Sequence, residues 1–276
     1  MTVFQSIVLG VVQGLTEFLP VSSSGHLVLS QNLFGIKEPM LAFDIAVHGG
    51  TLAAIFVFFY KDIFDILKDF GRSIQGVFNK KPVSTSAIPP SHRGLWVCIL
   101  ITLIPTGIIA VCFRHLFEAA FSKLLFVAVA WFVMGILLIL SERFSKGQKD
   151  LSAIHYGDAF WIGLAQSIAL LPGVSRSGST ILAGMFLGIK KEDAAKFSFL
   201  IAIPAILGAI AIDLREGIHY FSTHALVVLT GFFAAAITGY LVIRWLMKII
   251  QQGRFFIFGY YCIAISLFAL TFVILS

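Results

Sequence analysis

Two apolar stretches of this chain, about 2–33 and 157–187, are each broken near the middle by a polar turn, which narrows the fold sharply. The first break runs Pro20, Val21, Ser22, Ser23, Ser24, Gly25, His26, and the second runs Pro172, Gly173, Val174, Ser175, Arg176, Ser177, Gly178, Ser179, Thr180. Six other stretches, about 40–60, 95–113, 121–141, 194–212, 225–247 and 255–275, are unbroken. A helix needs about 20 mostly apolar residues to cross a bilayer, so the six qualify and the broken halves do not. Irregular backbone at membrane depth is tolerated only inside protein or beside a water-filled cavity. The expected fold is an all-α polytopic membrane protein: six transmembrane helices plus two re-entrant helix hairpins with their tips in the bundle. The whole chain, 1–276, reads as a single integral membrane domain.

Composition agrees. Only 12% of the residues are charged and 58% are hydrophobic, against about 25% charged in an ordinary soluble domain. That excludes a cytosolic enzyme, a nucleic-acid binder and a disordered tail. Cys98, Cys112 and Cys262 all lie in apolar stretches and read as small buried hydrophobes, with no disulfide framework. The N-terminus lacks a basic leader, and Gln13 and Glu17 interrupt its apolar run, so no cleaved signal peptide is expected.

The basic residues set an orientation. Lys61, Lys68, Arg72, Lys80, Lys81 and Arg93 fall in a long loop placed in the cytoplasm. Six crossings then put Arg143, Lys146, Lys149, Lys190, Lys191, Lys196, Arg244, Lys248 and Arg254 on the same side. Only Lys37, Arg114, Lys123 and Arg215 fall outside, with both termini, and Arg176 stands apart in the second break. The net charge of +6 is therefore mainly a topology signal.

The two breaks are copies. Gly10 and Gln13 align with Gly163 and Gln166, and Val21 through Gly25 aligns with Val174 through Gly178, all at an offset of 153. Three crossings separate the copies, so the second must be inverted, giving repeats of about 1–113 and 157–247. Inverted repeats with broken helices usually carry their site at the repeat interface near mid-membrane.

The chemistry is concentrated at the tips. Gln13 and Glu17 are four apart, so they share one helix face leading into the first break. The tips supply the hydroxyls of Ser22, Ser23, Ser24, Ser175, Ser177, Ser179 and Thr180, together with Gly25, His26 and Arg176. Each precedes a short helix whose first N–H groups lack intrahelical partners, and two such ends facing each other would cage a phosphate or diphosphate. Arg176 needs an anion, and its planar fork suits phosphate oxygens. Glu17 could pair with it or hold a hard divalent cation accompanying a diphosphate. His26 is the candidate for proton transfer near neutral pH. A serine could attack with His26 taking its proton, His26 could attack phosphorus itself, or His26 could activate water. His48, in the span after the first hairpin, could line the cavity or be structural. Pro105 and Pro204 are expected to kink their spans.

These residues match a family. Gln13-x-x-x-Glu17, the Pro20–His26 motif and the Pro172–Thr180 motif together resemble the bacterial undecaprenyl-diphosphate phosphatases of the bacitracin-resistance type, over the whole chain. The resemblance implies an enzyme of the plasma (inner) membrane that hydrolyses undecaprenyl diphosphate on the external face. That recycles the lipid carrier for peptidoglycan and other envelope glycans, and confers bacitracin resistance. It implies Glu17 and Gln13 as ligands of Mg²⁺ or Ca²⁺, with Glu at the Gln13 position in some members. Ser23 and His26 would be nucleophile and general base or its equivalent. Arg176, with Ser22, Ser24, Gly25, Ser175, Ser177 and Thr180, would hold the diphosphate. A homodimer is compatible with this picture, and nucleic acid is not a partner. An inverted-repeat transporter or flippase for a polyprenyl phosphate is the competing expectation.

Overall fold

The computed structural model describes residues 1–36, 41–79, 92–121, 124–144 and 147–275. Lys37, Lys80, Lys81, Lys123 and Lys146 of the orientation argument lie outside them. Helices follow in the order α1 (Val3–Thr16), α2 (Ser23–Leu33), α3 (Leu41–Phe58), α4 (Tyr60–Asn79), α5 (Leu95–Cys112), α6 (Arg114–Phe121) and α7 (Leu124–Leu140). Then come α8 (Tyr156–Ile168), α9 (Arg176–Phe186), α10 (Lys191–Thr223), α11 (Ala225–Gln251) and α12 (Ile257–Leu275). Two short 3₁₀ turns, Ser141–Phe144 and Leu151–Ala153, join α7 to α8. Among the described residues there is no β-strand beyond an isolated bridge between Lys149 and Ile189.

The chain is a multi-pass helical membrane protein. Leu95–Cys112, Lys191–Ala211, Ala225–Gln251 and Ile257–Ile274 are long and apolar enough to cross a bilayer. A fifth span arises if α3 is counted together with α4 across a bend of 82°. Helix α7, the expected span at 121–141, has 17 residues and is shorter than these. Pro105 and Pro204 both lie inside helices, α5 and α10.

Three helix pairs approach through glycine. Helix α1 packs on α11, α5 on α8, and α7 on α12. A Cβ on Gly10 would lie 2.5 Å from the Gly231 carbonyl oxygen, and one on Gly163 would lie 2.5 Å from that of Thr102. Gly135 and Gly259 meet across α7 and α12 in the same way. Small residues let backbones touch where lipid supplies no hydrophobic drive for helices to associate. Helix α3 packs against α11, α10 and α1, which brings it beside the first broken stretch.

Two sequence expectations are corrected. The long loop after the first span contains helix α4, which turns its apolar side outward: Tyr60, Phe64, Leu67 and Ile74 are exposed. Its polar side faces the protein, where Asp69 accepts from the Gly94 N–H at 2.7 Å and Asp62 lies 2.5 Å from Lys196 Nζ. A search for unbroken apolar runs misses such a helix, because its apolar residues recur every third or fourth position between charges. Cys112, expected to be buried, is exposed; Cys98 and Cys262 are buried, and all three are free thiols.

Candidate active site

Helix α1 ends at Thr16, shortly before Leu19, where the following Pro20 disfavours helical geometry. Glu17 caps its end, donating its N–H to the Gln13 carbonyl at 2.9 Å. Ser22 then adopts φ 66° and ψ 97°, the one non-glycine positive φ among the described residues, and caps α2. Its hydroxyl accepts from the Gly25 N–H at 3.4 Å. The second tip repeats this capping with Gly173 at positive φ: the Ser175 hydroxyl caps α9 by accepting from the Gly178 N–H at 3.1 Å.

Glu17 is the hub where the tips meet. Its Oε1 accepts from Arg176 Nη2 at 2.6 Å. Its Oε2 accepts from Gln13 Nε2 at 2.9 Å and from the Ser23 hydroxyl at 2.6 Å. His48 Nε2 stands 3.8 Å from the same oxygen. The acid is 7% exposed and Gln13 is fully buried. Such a carboxylate needs its charge neutralised and its lone pairs filled, and these neighbours do both.

Two of the remaining tip hydroxyls bind the tips to each other. Ser175 and Ser177 both donate to the Leu19 carbonyl, at 3.4 and 3.0 Å. Thr180 donates to the Arg176 carbonyl at 2.8 Å and shares a 2.6 Å hydrogen bond with Ser198 of α10. Ser24 lies 3.3 Å from the Ser22 hydroxyl. Gly25 leaves room for the Trp131 ring, which a Cβ there would approach to 2.6 Å.

His26 sits one turn beyond Ser22, and no hydrogen bond joins it to Ser23. Its Nδ1 is 2.8 Å from the Ser22 carbonyl oxygen and its Nε2 is 2.7 Å from the Tyr261 hydroxyl. The ring stacks on Tyr261, with planes 13° apart, and meets Trp131 edge-on. Trp131 in turn donates its Nε1–H to the Val21 carbonyl at 2.8 Å, and the Cys262 thiol donates to that of Pro20 at 3.4 Å. Helices α7 and α12 thus clamp the strained turn from outside.

Two buried atoms beside Glu17 have the chemistry to meet a charged ligand. Gln13 Oε1 and Arg176 Nη1 are buried with no hydrogen-bond partner among the described residues. Reversing the Gln13 amide would set oxygen against the carboxylate, so its free atom is the oxygen. An orphaned acceptor and an orphaned donor, each costing about 1–3 kcal/mol, flank one carboxylate. The acceptor with Glu17 offers hard oxygen ligands suited to Mg²⁺ or Ca²⁺, and the guanidinium offers a donor suited to phosphate. Among the described residues no three His, Cys, Asp or Glu side chains cluster to hold a metal. A cation here would therefore draw its remaining ligands from phosphate oxygens and water.

The structure brings together Gln13, Glu17, Ser23 and Arg176, with His48 alongside, and ties His26, three positions after Ser23 on α2, to Tyr261. Sequence reasoning singled out the first four and His26. It missed Tyr261, Trp131 and Ser198. The available signal was faint: each is a residue with a polar handle inside an otherwise apolar span.

The comparisons agree with the motifs. The family described as "Bacitracin resistance protein BacA" matches residues 6–268. The undecaprenyl-diphosphatase of Methanobrevibacter smithii is 44% identical over 263 residues, covering 95% of this chain and 94% of that protein. Those of Desulforapulum autotrophicum and Caldicellulosiruptor bescii are 42% and 41% identical, covering 98% and 100% of this chain and 98% and 99% of theirs. With one glutamate joined to both broken stretches and a match running nearly end to end, the chain belongs to the BacA family of bacitracin resistance proteins.

Proposed function

We propose that this protein hydrolyses undecaprenyl diphosphate to undecaprenyl phosphate and inorganic phosphate, returning a lipid carrier to cell-wall synthesis. The observation that carries the chemistry is Glu17, which holds the Ser23 hydroxyl on one oxygen and the Arg176 guanidinium on the other. Relatives similar over nearly the whole chain bear the name undecaprenyl-diphosphatase.

Ser23 is the nucleophile in this scheme, and Glu17 its base. The 2.6 Å contact is a hydrogen bond already directed from the attacking hydroxyl to a carboxylate. As Oγ bonds to the terminal phosphorus, its proton passes to Glu17 Oε2, and the bond to the bridging oxygen breaks. Undecaprenyl phosphate leaves with that electron pair. Arg176 meets the phosphoryl oxygens through Nη1, and the first N–H groups of α2 and α9 face the same charge. The hydroxyls of Ser22, Ser175, Ser177 and Thr180 hold those helix ends in place, while Ser24 and Gly25 lie in the first turn of α2, beside the phosphate. Water then displaces Ser23 from phosphorus, with His26 as the base for its proton.

Gln13 and Glu17 would hold a Mg²⁺ or Ca²⁺ ion. When bound, such an ion neutralises phosphate charge and makes phosphorus more electrophilic.

The proposed setting is the plasma membrane, with the site opening to the external side, six crossings and two re-entrant hairpins. Support comes from the matched caps of α2 and α9, from Gln13 and Gln166 at equivalent positions of the sequence repeat, and from the bias of the basic residues toward one side in the sequence.

Detergent-purified protein with added Mg²⁺ tests the activity through phosphate release from undecaprenyl diphosphate. Wild type should release phosphate and Glu17→Ala should not. Equal release from both would remove Glu17 from the chemistry.

A further inference from the structure

Tyr261 of α12 lies 235 positions from His26 and contributes its hydroxyl at 2.7 Å. A backbone carbonyl can only accept, so Nδ1 of His26, 2.8 Å from the Ser22 carbonyl, must carry a proton. In the neutral ring Nε2 is then the sole basic nitrogen, and the Tyr261 hydroxyl is the donor aimed at it. The tyrosine is 44% exposed whereas His26 is 7% exposed. With His26 buried and the Tyr261 hydroxyl on Nε2, a proton leaving or reaching that nitrogen passes the Tyr261 oxygen first.

We propose that Tyr261 is a working part of the phosphatase centre: it fixes Nε2 as the basic nitrogen of His26 and carries the proton between that nitrogen and the attacking water. The step balances. Water oxygen bonds to phosphorus while the bond between phosphorus and Ser23 Oγ breaks. The proton of the water goes to the Tyr261 oxygen as the tyrosine's own proton moves to Nε2. Ser23 Oγ recovers its proton from Glu17, and His26 later returns its proton to solvent by the same route. Other contacts of Tyr261 suit the task. Its ring stacks on the imidazole, so the two planes move together, and Trp131 closes the histidine's edge.

This inference rests on Ser23 and His26 acting as proposed above, and the experiment separates the two. Tyr261→Phe keeps the ring and its stacking and removes only the hydroxyl. In the full-length protein with undecaprenyl diphosphate and Mg²⁺, kcat should fall by about 10²-fold, in the range for a positioned proton-transfer group, with KM changed less than about twofold. The first turnover should still release undecaprenyl phosphate as a burst, with phosphoserine accumulating at Ser23 on rapid quenching. In ¹⁵N-histidine spectra, the Nε2 signal of His26 should shift toward that of a bare, unbonded nitrogen. Wild-type kcat in Tyr261→Phe overturns the proposal, as does a slow variant with no burst and an unshifted Nε2. Ser23→Ala, measured in parallel, reads the nucleophile alone: full activity there sinks the serine route and the Tyr261 step with it, whereas an inactive Ser23→Ala beside a fully active Tyr261→Phe sinks the Tyr261 step only.

Discussion

Arg176 Nη2 and Glu17 Oε1 lie 2.6 Å apart although 159 positions separate them in the chain. That contact joins the end of α1 to the start of α9, so both broken stretches share a single ion pair inside the protein. Burying such a pair costs desolvation on both sides, and removing one partner leaves the other uncompensated.

The pair should therefore behave differently in stability and in catalysis. Glu17→Gln should lower stability by about 3 kcal/mol, and adding Arg176→Met should restore part of that loss without restoring activity. Arg176→Lys keeps the charge but loses the second guanidinium arm, Nη1. Its kcat/KM should fall by about 10²-fold, as when one preorganised donor is lost from a charged transition state. Thermal unfolding in detergent and phosphate release read the two effects separately. A double variant no more stable than Glu17→Gln would show that the ion pair is not what the fold depends on.

Ser22 carries both a cap and a strained backbone, and two substitutions separate them. Ser22→Ala loses the hydroxyl that accepts from Gly25 and keeps φ at 66°, so it should be less stable by about 1 kcal/mol. Ser22→Gly also loses the cap but relieves a conformation that costs a non-glycine residue about 1–3 kcal/mol. It should be at least as stable as wild type, with lower kcat because the tip is freer. Equal destabilisation by both would mean the turn holds no strain.

Trp131 and Gly25 are coupled by packing. A Cβ on residue 25 would lie 2.6 Å from Trp131 Cζ2, and the indole cannot retreat while its Nε1–H is held by Val21. Gly25→Ala should cost about 1–3 kcal/mol, the range for overpacking. Trp131→Phe should cost about 1–3 kcal/mol through the orphaned Val21 carbonyl. The two together should cost less than their sum, since the smaller ring makes room for the methyl. Strict additivity in unfolding measurements would contradict the contact.

The sequence is most legible where chemistry is local. Gln13 and Glu17 fall four apart on one helix, and their hydrogen bond follows from that spacing. Ser22 and Ser175 cap two helices in the same manner because the two breaks carry one motif. Arg176 needed an anion, and Glu17 was the carboxylate in the other tip. Tyr261 and Trp131 could not be read this way. Their partners are set by how α7 and α12 pack, through Gly135 and Gly259, around a tip over a hundred positions away. The same holds for the roles of the serines. Five Ser/Thr hydroxyls read as equally suited to phosphate, yet Ser175 and Ser177 are directed at the Leu19 carbonyl, a backbone atom that no motif identifies. Helix α4 escaped for another reason: its apolar residues follow a helical period rather than a run, with the polar face turned inward.

Gln13 offers a test of the cation that can be read without catalysis. Its Nε2 satisfies Glu17 while its Oε1 is buried and unpartnered, so the amide both supports the carboxylate and presents one neutral oxygen ligand. Gln13→Glu exchanges that donor for a second buried charge four residues from the first. Without divalent cation, two carboxylates at this site repel and one must take a proton or shift away, so the variant should unfold at a lower temperature than wild type. With millimolar Mg²⁺ or Ca²⁺ the two carboxylates should share the ion, and the melting temperature should rise by more than it does for wild type. Half-saturation by Mg²⁺, followed by the melting shift, should fall to a lower concentration, because a charged oxygen holds a hard cation more tightly than an amide oxygen. Removing the ion with a chelator should return the variant to its lower stability. A melting temperature in Gln13→Glu that is indifferent to both divalent cations would rule out Gln13 and Glu17 as the place where the metal sits.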